Sequence, residues 1–441
     1  MVRQATDRSG KSISRRRFMQ GSALSVAALG LGGGRLFAAG SDTIRVGLIG
    51  CGSRGMGAVR NCVDSAPNVE IVALGDLFQD RIDTCLKTIR TNGEKDWSSS
   101  APWTHADKVK VTPERCFTGF EAYKKVINSG VDLVILATSP HFRPMHLKAA
   151  IEAGKHVFME KPVAVDPVGI RSVLASSELA RQKGLAIGAG TQRRHDPKYI
   201  EVIQRVHNGD IGELVAGQCY WVQGWVRQWG FYTERKPQWT DMETQCRNWY
   251  YYTWLSGDHI VEQHVHNLDV INWAMGTHPV MAMGMGGREV RIEPEFGNIY
   301  DHFAVEFEYP NGARILSMAR QIAGCAERIG ERIVGAKGIA MEGAIEGAKA
   351  YKYEGPTPNP YEQEHVDLIR SIRDGRPLNE GKAVAESTMT AILGRMSAYT
   401  GRALKWDWAI KSSKLDLTPP KYELGDLPVA PVAVPGATPL A

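Results

Sequence analysis

The chain has 441 residues, a length that fits two domains of ordinary size. Hydrophobic residues make up 43 % and charged residues 23 %, the composition of an ordinary globular protein. The formal charge is only +5, and several positive residues fall in the first twenty positions, so the rest carries no nucleic-acid footprint. The seven cysteines (51, 62, 85, 116, 219, 246, 325) are scattered and form no CxxC pair. They read as mostly free, buried thiols rather than a disulfide framework or a zinc site.

Residues 1–40 read as an address. Ser14-Arg15-Arg16-Arg17-Phe18-Met19-Gln20 is a twin-arginine pattern, followed by a weakly apolar run from Gly21 to Ala39. Ala38-Ala39-Gly40 offers a cleavage site. The alternative is a short membrane anchor, for which Arg35 and the glycines are poorly suited. Twin-arginine export predicts a periplasmic or other extracytoplasmic protein that is folded, with its cofactor loaded, before it leaves the cytoplasm. No membrane contact is expected after signal removal. Little free NAD exists outside the cytoplasm, so the chain is expected to hold its cofactor tightly.

Ile44 to Ile49 is apolar enough for a buried parallel strand, and it runs into Gly50-Cys51-Gly52-Ser53-Arg54-Gly55. This is GxGxxG with a strand before it and a helix after it. Gly50 permits the turn, Gly52 admits the pyrophosphate, and Gly55 lets the helix pack on the strand. A second strand, Val69 to Leu74, ends in Gly75-Asp76. A carboxylate there accepts the adenosine ribose hydroxyls and repels an added phosphate, which predicts NAD over NADP. A further strand, Val131 to Ala137, ends in Thr138-Ser139-Pro140, which should line the same cleft. A helix over 144–153 and a strand over 154–159 then deliver Glu160-Lys161-Pro162 to the same sheet edge.

These motifs, together with Arg193-Arg194-His195-Asp196-Pro197, His266-Asn267-Leu268-Asp269 and Glu364-His365, resemble the Gfo/Idh/MocA oxidoreductases, named for glucose–fructose oxidoreductase and inositol dehydrogenase. The resemblance spans about residues 44 to 405. The run from Ala153-Gly154-Lys155-His156-Val157 to Glu160-Lys161-Pro162 is its most specific part. It implies an α/β fold: an N-terminal Rossmann domain (41–165), then an α/β domain (166–410) on a large, open, mostly antiparallel sheet. It also implies a homo-oligomer, a dimer or tetramer. It places Ser53, Arg54, Thr138, Ser139, Pro140, Glu160, Lys161 and Arg194 with the glycines and Asp76 on the cofactor side. Lys161 would hydrogen-bond the reacting hydroxyl, and His266 would relay or accept its proton. The chemistry asks for this in any case. Oxidising C–OH needs a base on oxygen and a hydride acceptor on carbon.

Residues 257–273, if helical, put Asp258, His259, Glu262, His266 and Asp269 on one face. Relatives commonly carry Asp-x-Gly-x-His-x-x-Asp here, whereas this chain has Glu262 and His264 at the first two positions. Glu262 joins Lys161 and His266 as a catalytic candidate. Bound metal is the sharp alternative for this cluster, but no metal site is expected. His259 and His264 serve either packing or substrate. Arg143 either holds substrate or is a solvated helix-start residue.

Residues 220–254 hold six of the eleven tryptophans and five tyrosines. They form either a sugar-stacking wall or a buried core or interface. Arg227, Arg235 and Arg247 are candidates for pairing with acidic sugars. The tail, 411–441, has six prolines after Leu417 and is expected to be disordered or strapped along a neighbouring subunit. The expected function is hydride transfer between a sugar or cyclitol CH–OH and bound NAD. The alternative is a redox-neutral glycoside hydrolase that oxidises at C3, eliminates, hydrates and re-reduces.

Overall fold

The computed structural model describes residues 42–93, 98–224 and 233–441. The signal-like segment 1–40 and Trp225, Arg227 and Trp229 lie outside the described residues.

The first half alternates strand and helix: β1 (Ile44–Ile49), α1 (Ser53–Asp64), β2 (Val69–Asp76), α2 (Gln79–Ile89), β3 (Cys116–Thr118), α3 (Ala122–Ile127), β4 (Leu133–Leu136), α4 (Arg143–Glu152), β5 (His156–Met159), α5 (Pro167–Lys183) and β6 (Ile187–Ala189). The strands form one parallel sheet in the order β3-β2-β1-β4-β5-β6, the doubly wound dinucleotide-binding arrangement. Local chemistry sets the boundaries. In α5, Asp166 caps Gly169 N–H, Pro167 opens the helix, and Gly184 closes it in the left-handed conformation.

The second half contains α6 (Pro197–His207), β7 (Leu214–Gln223), α7 (Asp241–Arg247), α8 (Thr253–Ser256), α9 (His259–Glu262), α10 (Val265–Met275), β8 (Met281–Gly287), β9 (His302–Glu308), β10 (Arg314–Gln321), β11 (Arg328–Gly335), β12 (Gly338–Met341), β13 (Ala344–Gly347) and β14 (Tyr351–Lys352). Then come α11 (Pro360–Arg373), α12 (Gly381–Thr400), β15 (Leu404–Lys405) and α13 (Trp406–Lys411). Nine strands form a sheet in the order β14-β13-β12-β11-β7-β10-β9-β8-β15, antiparallel except for the β7–β10 pair. Helices α10 and α12 pack on its inner face.

Two features move the expected domain limits. The parallel sheet continues past residue 165 to β6, because α5 is its last crossover helix. Later, α11 returns to the first domain, where Leu368, Ile369 and Ile372 join the core of Ile44, Val46 and Leu48. The tail is also ordered on its own chain. Leu417 N–H donates to Asp166, Tyr422 bonds His141, and Tyr300 Oη donates to Ala433 O. This replaces the disorder expected from its prolines, since the extended backbone finds partners along both domains. All seven cysteines are free, and Cys51, Cys62, Cys85 and Cys219 are buried. No described helix is long and apolar enough to cross a membrane.

The buried histidines predict an acid-sensitive fold. Burial lowers His141 to about 4 and His146 and His264 to about 3, and it holds His259, His266 and His365 well below 6.5. The unfolded chain therefore binds protons below pH 6.5 that the folded chain refuses. Stability is complete above about pH 6.5 and falls as pH drops, by about 1.4 kcal/mol per unit for each such histidine. His195 has the opposite sign. Burial works against its charge, but the hydrogen bonds it donates to Asp367 and Glu380 outweigh it and lift it to about 10. Its contribution is full below pH 6.5 and is lost as pH rises towards 10. Calorimetry should find Tm highest near neutrality and falling steeply below about pH 6. An unchanged Tm down to about pH 4.5 would contradict the buried, neutral state of these rings.

Candidate active site

The glycine loop joins β1 to α1. Gly50 has φ 103°, and a Cβ there would lie 2.5 Å from the Ala137 and Thr138 backbone. A Cβ at Gly55 would lie 2.0 Å from Gly50 O, so helix and loop touch backbone to backbone. At Gly52 a Cβ would meet nothing within 4 Å. That opening sits at the uncapped N-terminus of α1, whose first turn, from Ser53, carries no acidic residue. Open space, the N–H groups of a helix start and the positive end of the helix dipole fit a pyrophosphate. Asp76 accepts Cys51 N–H at 2.7 Å and Phe78 N–H at 2.9 Å, which fixes its carboxylate where ribose hydroxyls would meet it. These residues fit NAD, which when bound supplies the hydride acceptor.

Arg54 and Glu160, expected on the cofactor side, face one another. The Arg54 guanidinium bonds Glu160, Glu364 and Asn61 and lies over Tyr361. It ties α1 to the end of β5 and to α11. Burial raises Glu364 well above the usual carboxylate range; Arg54 opposes this and Glu160 reinforces it. Arg194 is also committed. Three hydrogen bonds join it to Asp269, and it lies over Trp273, so it anchors α10. In the turn after β4, Thr138 Oγ1 lies 3.4 Å from His146 Nδ1, and Ser139 and Pro140 open a short 3-10 turn. Arg143 is not a solvated helix-start residue. It is buried and donates to Pro162 O and Thr138 O, bracing this turn against the Lys161 segment.

Lys161 and Glu262 meet, although 101 residues separate them. Lys161 Nζ donates to Glu262 O at 2.7 Å and to Glu262 Oε1 at 3.2 Å. An ammonium has three donors, so one remains for a substrate oxygen. Glu262 Oε2 is buried without a partner, a free acceptor at the same place. His266 stacks on Trp221 with ring centres 5.7 Å apart. Burial first, then the charges of Lys161, Arg193 and Arg54, hold His266 well below 6.5, so it is neutral near pH 7. A lysine donor, a carboxylate and a neutral imidazole at the carboxyl edge of the sheet can hold a hydroxyl and carry its proton away.

The single helical face expected over 257–273 does not exist, because the segment breaks at Gln263 and His264 into α9 and α10. Asp258 caps α9 at φ 73° and bonds Tyr399 and Tyr300 N–H, away from Lys161. His259 is fully buried against Phe303. His264 bonds Ser317 Oγ at 2.7 Å and contacts Cys219. The three rings thus have separate surroundings. Among the described residues, no three His, Cys, Asp or Glu side chains form a metal-holding group. Glu331 on β11 stands in no recognisable motif, yet it accepts from Arg193, Asn267 and Tyr199.

Among the described residues, most of the aromatic segment is core. Tyr250, Tyr251, Tyr252 and Leu255 pack with Phe142, Phe296 and Ile299. Trp221 is the member beside the catalytic candidates. Arg235 pairs with Asp241, and Arg247 pairs with Asp80 and Glu243, so neither is free for an acidic sugar.

Two family models match. "Oxidoreductase family, NAD-binding Rossmann fold" covers residues 44–191, and "GFO/IDH/MocA C-terminal domain" covers 199–341. A Saccharopolyspora erythraea protein named inositol 2-dehydrogenase 1 is 27 % identical over 238 residues, 54 % of this chain and 56 % of that one. A Shewanella pealeana protein named as a glycosyl hydrolase family 109 protein is 26 % identical over 183 residues, 41 % of this chain and 36 % of that one. The chain thus aligns with less than two thirds of either relative. The crystal structure of Lactobacillus casei scyllo-inositol dehydrogenase with NAD(H) and scyllo-inositol superposes with TM-score 0.60 at 17 % identity, over 82 % of this chain and 99 % of that one. With both of its domains matched and its sheets in this order, the chain belongs to the Gfo/Idh/MocA family of NAD-binding oxidoreductases.

Proposed function

We propose that this protein transfers a hydride between a CH–OH carbon of a sugar or cyclitol and a tightly held NAD. The observation that carries this is the Lys161–Glu262 pair, with one lysine donor and Glu262 Oε2 left over, beside neutral His266. Lys161 holds the substrate hydroxyl, His266 relays its proton, and Trp221 backs the imidazole. The name of the S. erythraea relative supports a cyclitol. The name of the S. pealeana relative supports a second reading, redox-neutral cleavage of a glycoside.

The test uses the protein as purified, with no NAD added, on a panel of cyclitols, sugars and glycosides. Many turnovers per chain support a cycle that regenerates bound cofactor. One equivalent of product at most, with activity restored by added NAD, overturns tight retention.

Two further parts of the reading concern its setting. The twin-arginine pattern supports export, which a reporter fusion with Arg15 and Arg16 replaced by lysine should abolish. The outer face of the nine-stranded sheet exposes Met283 and Met285 on β8 and Leu316 and Met318 on β10, on either side of β9. That apolar patch supports a second copy of the chain as its cover, in a dimer or tetramer.

A further inference from the structure

The adenosine end of a dinucleotide lies beside the turn after β2, which here runs from Asp76 through Phe78 to Asp80. A second-domain element sits on that turn. Arg247, at the end of α7, donates to both carboxylate oxygens of Asp80 at 3.0 and 3.1 Å. Its guanidinium lies 3.9 Å from the centre of the Phe78 ring and 4.7 Å from that of Trp239. Glu243 holds its Nε at 2.9 Å.

The tail in turn holds α7 down. Met242 N–H donates to Gly425 O, Gln245 Nε2 to Leu427 O, and Leu427 N–H to Asp241. The same tail reaches the turn after β4, where Tyr422 Oη lies 2.8 Å from His141 Nε2 and its ring packs near Phe120 and Phe142. Trp254 completes that side against His141.

We infer that α7 and the C-terminal strap form a roof over the adenosine half of the NAD site, clasped shut by Arg247 on Asp80 and Phe78, and that this clasp sets how slowly NAD leaves. Arg247 and Asp80 are positioning residues, distant in sequence from the reacting groups. The inference rests on the tight retention proposed above but not on the identity of the substrate. It explains how a chain without a covalent link to NAD keeps it over many cycles.

The experiment measures NAD per chain after purification and the rate of NAD release into excess trap. Asp80 is exposed, so its variants fold. Asp80→Asn removes the ion pair and should speed release about two- to fivefold, while Asp80→Glu should stay near wild type. Arg247→Ala, which also loses the ring contacts, should speed it about tenfold. Salt should hasten release from the wild type but not from Asp80→Asn. Release rates equal to wild type in both Asp80→Asn and Arg247→Ala would overturn the clasp. Slow release from the wild type combined with single-turnover behaviour would leave the clasp standing and overturn only the regenerating cycle.

Discussion

Replacing Lys161 with alanine is expected to lower kcat by about a thousandfold while leaving NAD affinity within about threefold. Lys161 lies at the carboxyl end of β5, past the last residue of the strand, and its ammonium is turned to Glu262 rather than to the glycine loop. Removing it deletes the donor that holds the substrate hydroxyl and the positive charge that eases its deprotonation. The cofactor cradle, built from Gly50, Gly52, Gly55 and Asp76, stays intact. Lys161→Arg is not expected to rescue, because a planar fork cannot occupy the place of a compact ammonium shared by a carbonyl and a carboxylate. Steady-state kinetics with equilibrium NAD binding checks this. Unchanged kcat in Lys161→Ala would move the acid–base role elsewhere.

Replacing Arg54 with alanine is expected to cost about 3–5 kcal/mol of stability. Its guanidinium lies between Glu160 and Glu364, whose side chains are 5 % and 1 % exposed. Without it, two carboxylates share a dry pocket, and one of them must take up a proton. The loss should therefore shrink at mildly acidic pH, where Glu364, already raised by burial, is protonated at little cost. Denaturant titration at two pH values tests this. A variant as stable as wild type but deficient in NAD binding would return Arg54 to the pyrophosphate-binding role that its place in the glycine loop suggests.

The contrast shows what a linear sequence can carry. The path from β1 through the glycine loop to Asp76 was legible because its constraints are local: a strand, a turn that excludes side chains, and a carboxylate at a strand end. The position of Lys161 just past a strand end was legible for the same reason. Its partner Glu262 was legible as a residue but not as a contact, since no short-range pattern spans 101 positions. The partners of the arginines were not legible. Arg54 and Arg194 bond carboxylates from distant elements and Arg143 donates to the backbone carbonyls of Thr138 and Pro162, contacts that no short-range pattern announces. The 257–273 segment misled through periodicity. Its spacing suits one helix, but Asp258, held at positive φ by Tyr300 and Tyr399, starts a single turn that ends before α10 begins. The tail lacks periodicity because its order comes from hydrogen bonds to other elements rather than from a face of its own.

Hydride transfer at this site is tested by following the hydride itself. The enzyme, loaded with NAD, is given a cyclitol or sugar deuterated at its CH–OH carbons, and the nicotinamide is analysed after a single turnover. Deuterium is expected on the reduced nicotinamide of the wild type and none with Lys161→Ala, although that variant holds the same NAD. Product formation without any deuterium reaching the nicotinamide would contradict hydride transfer as the chemistry of this site.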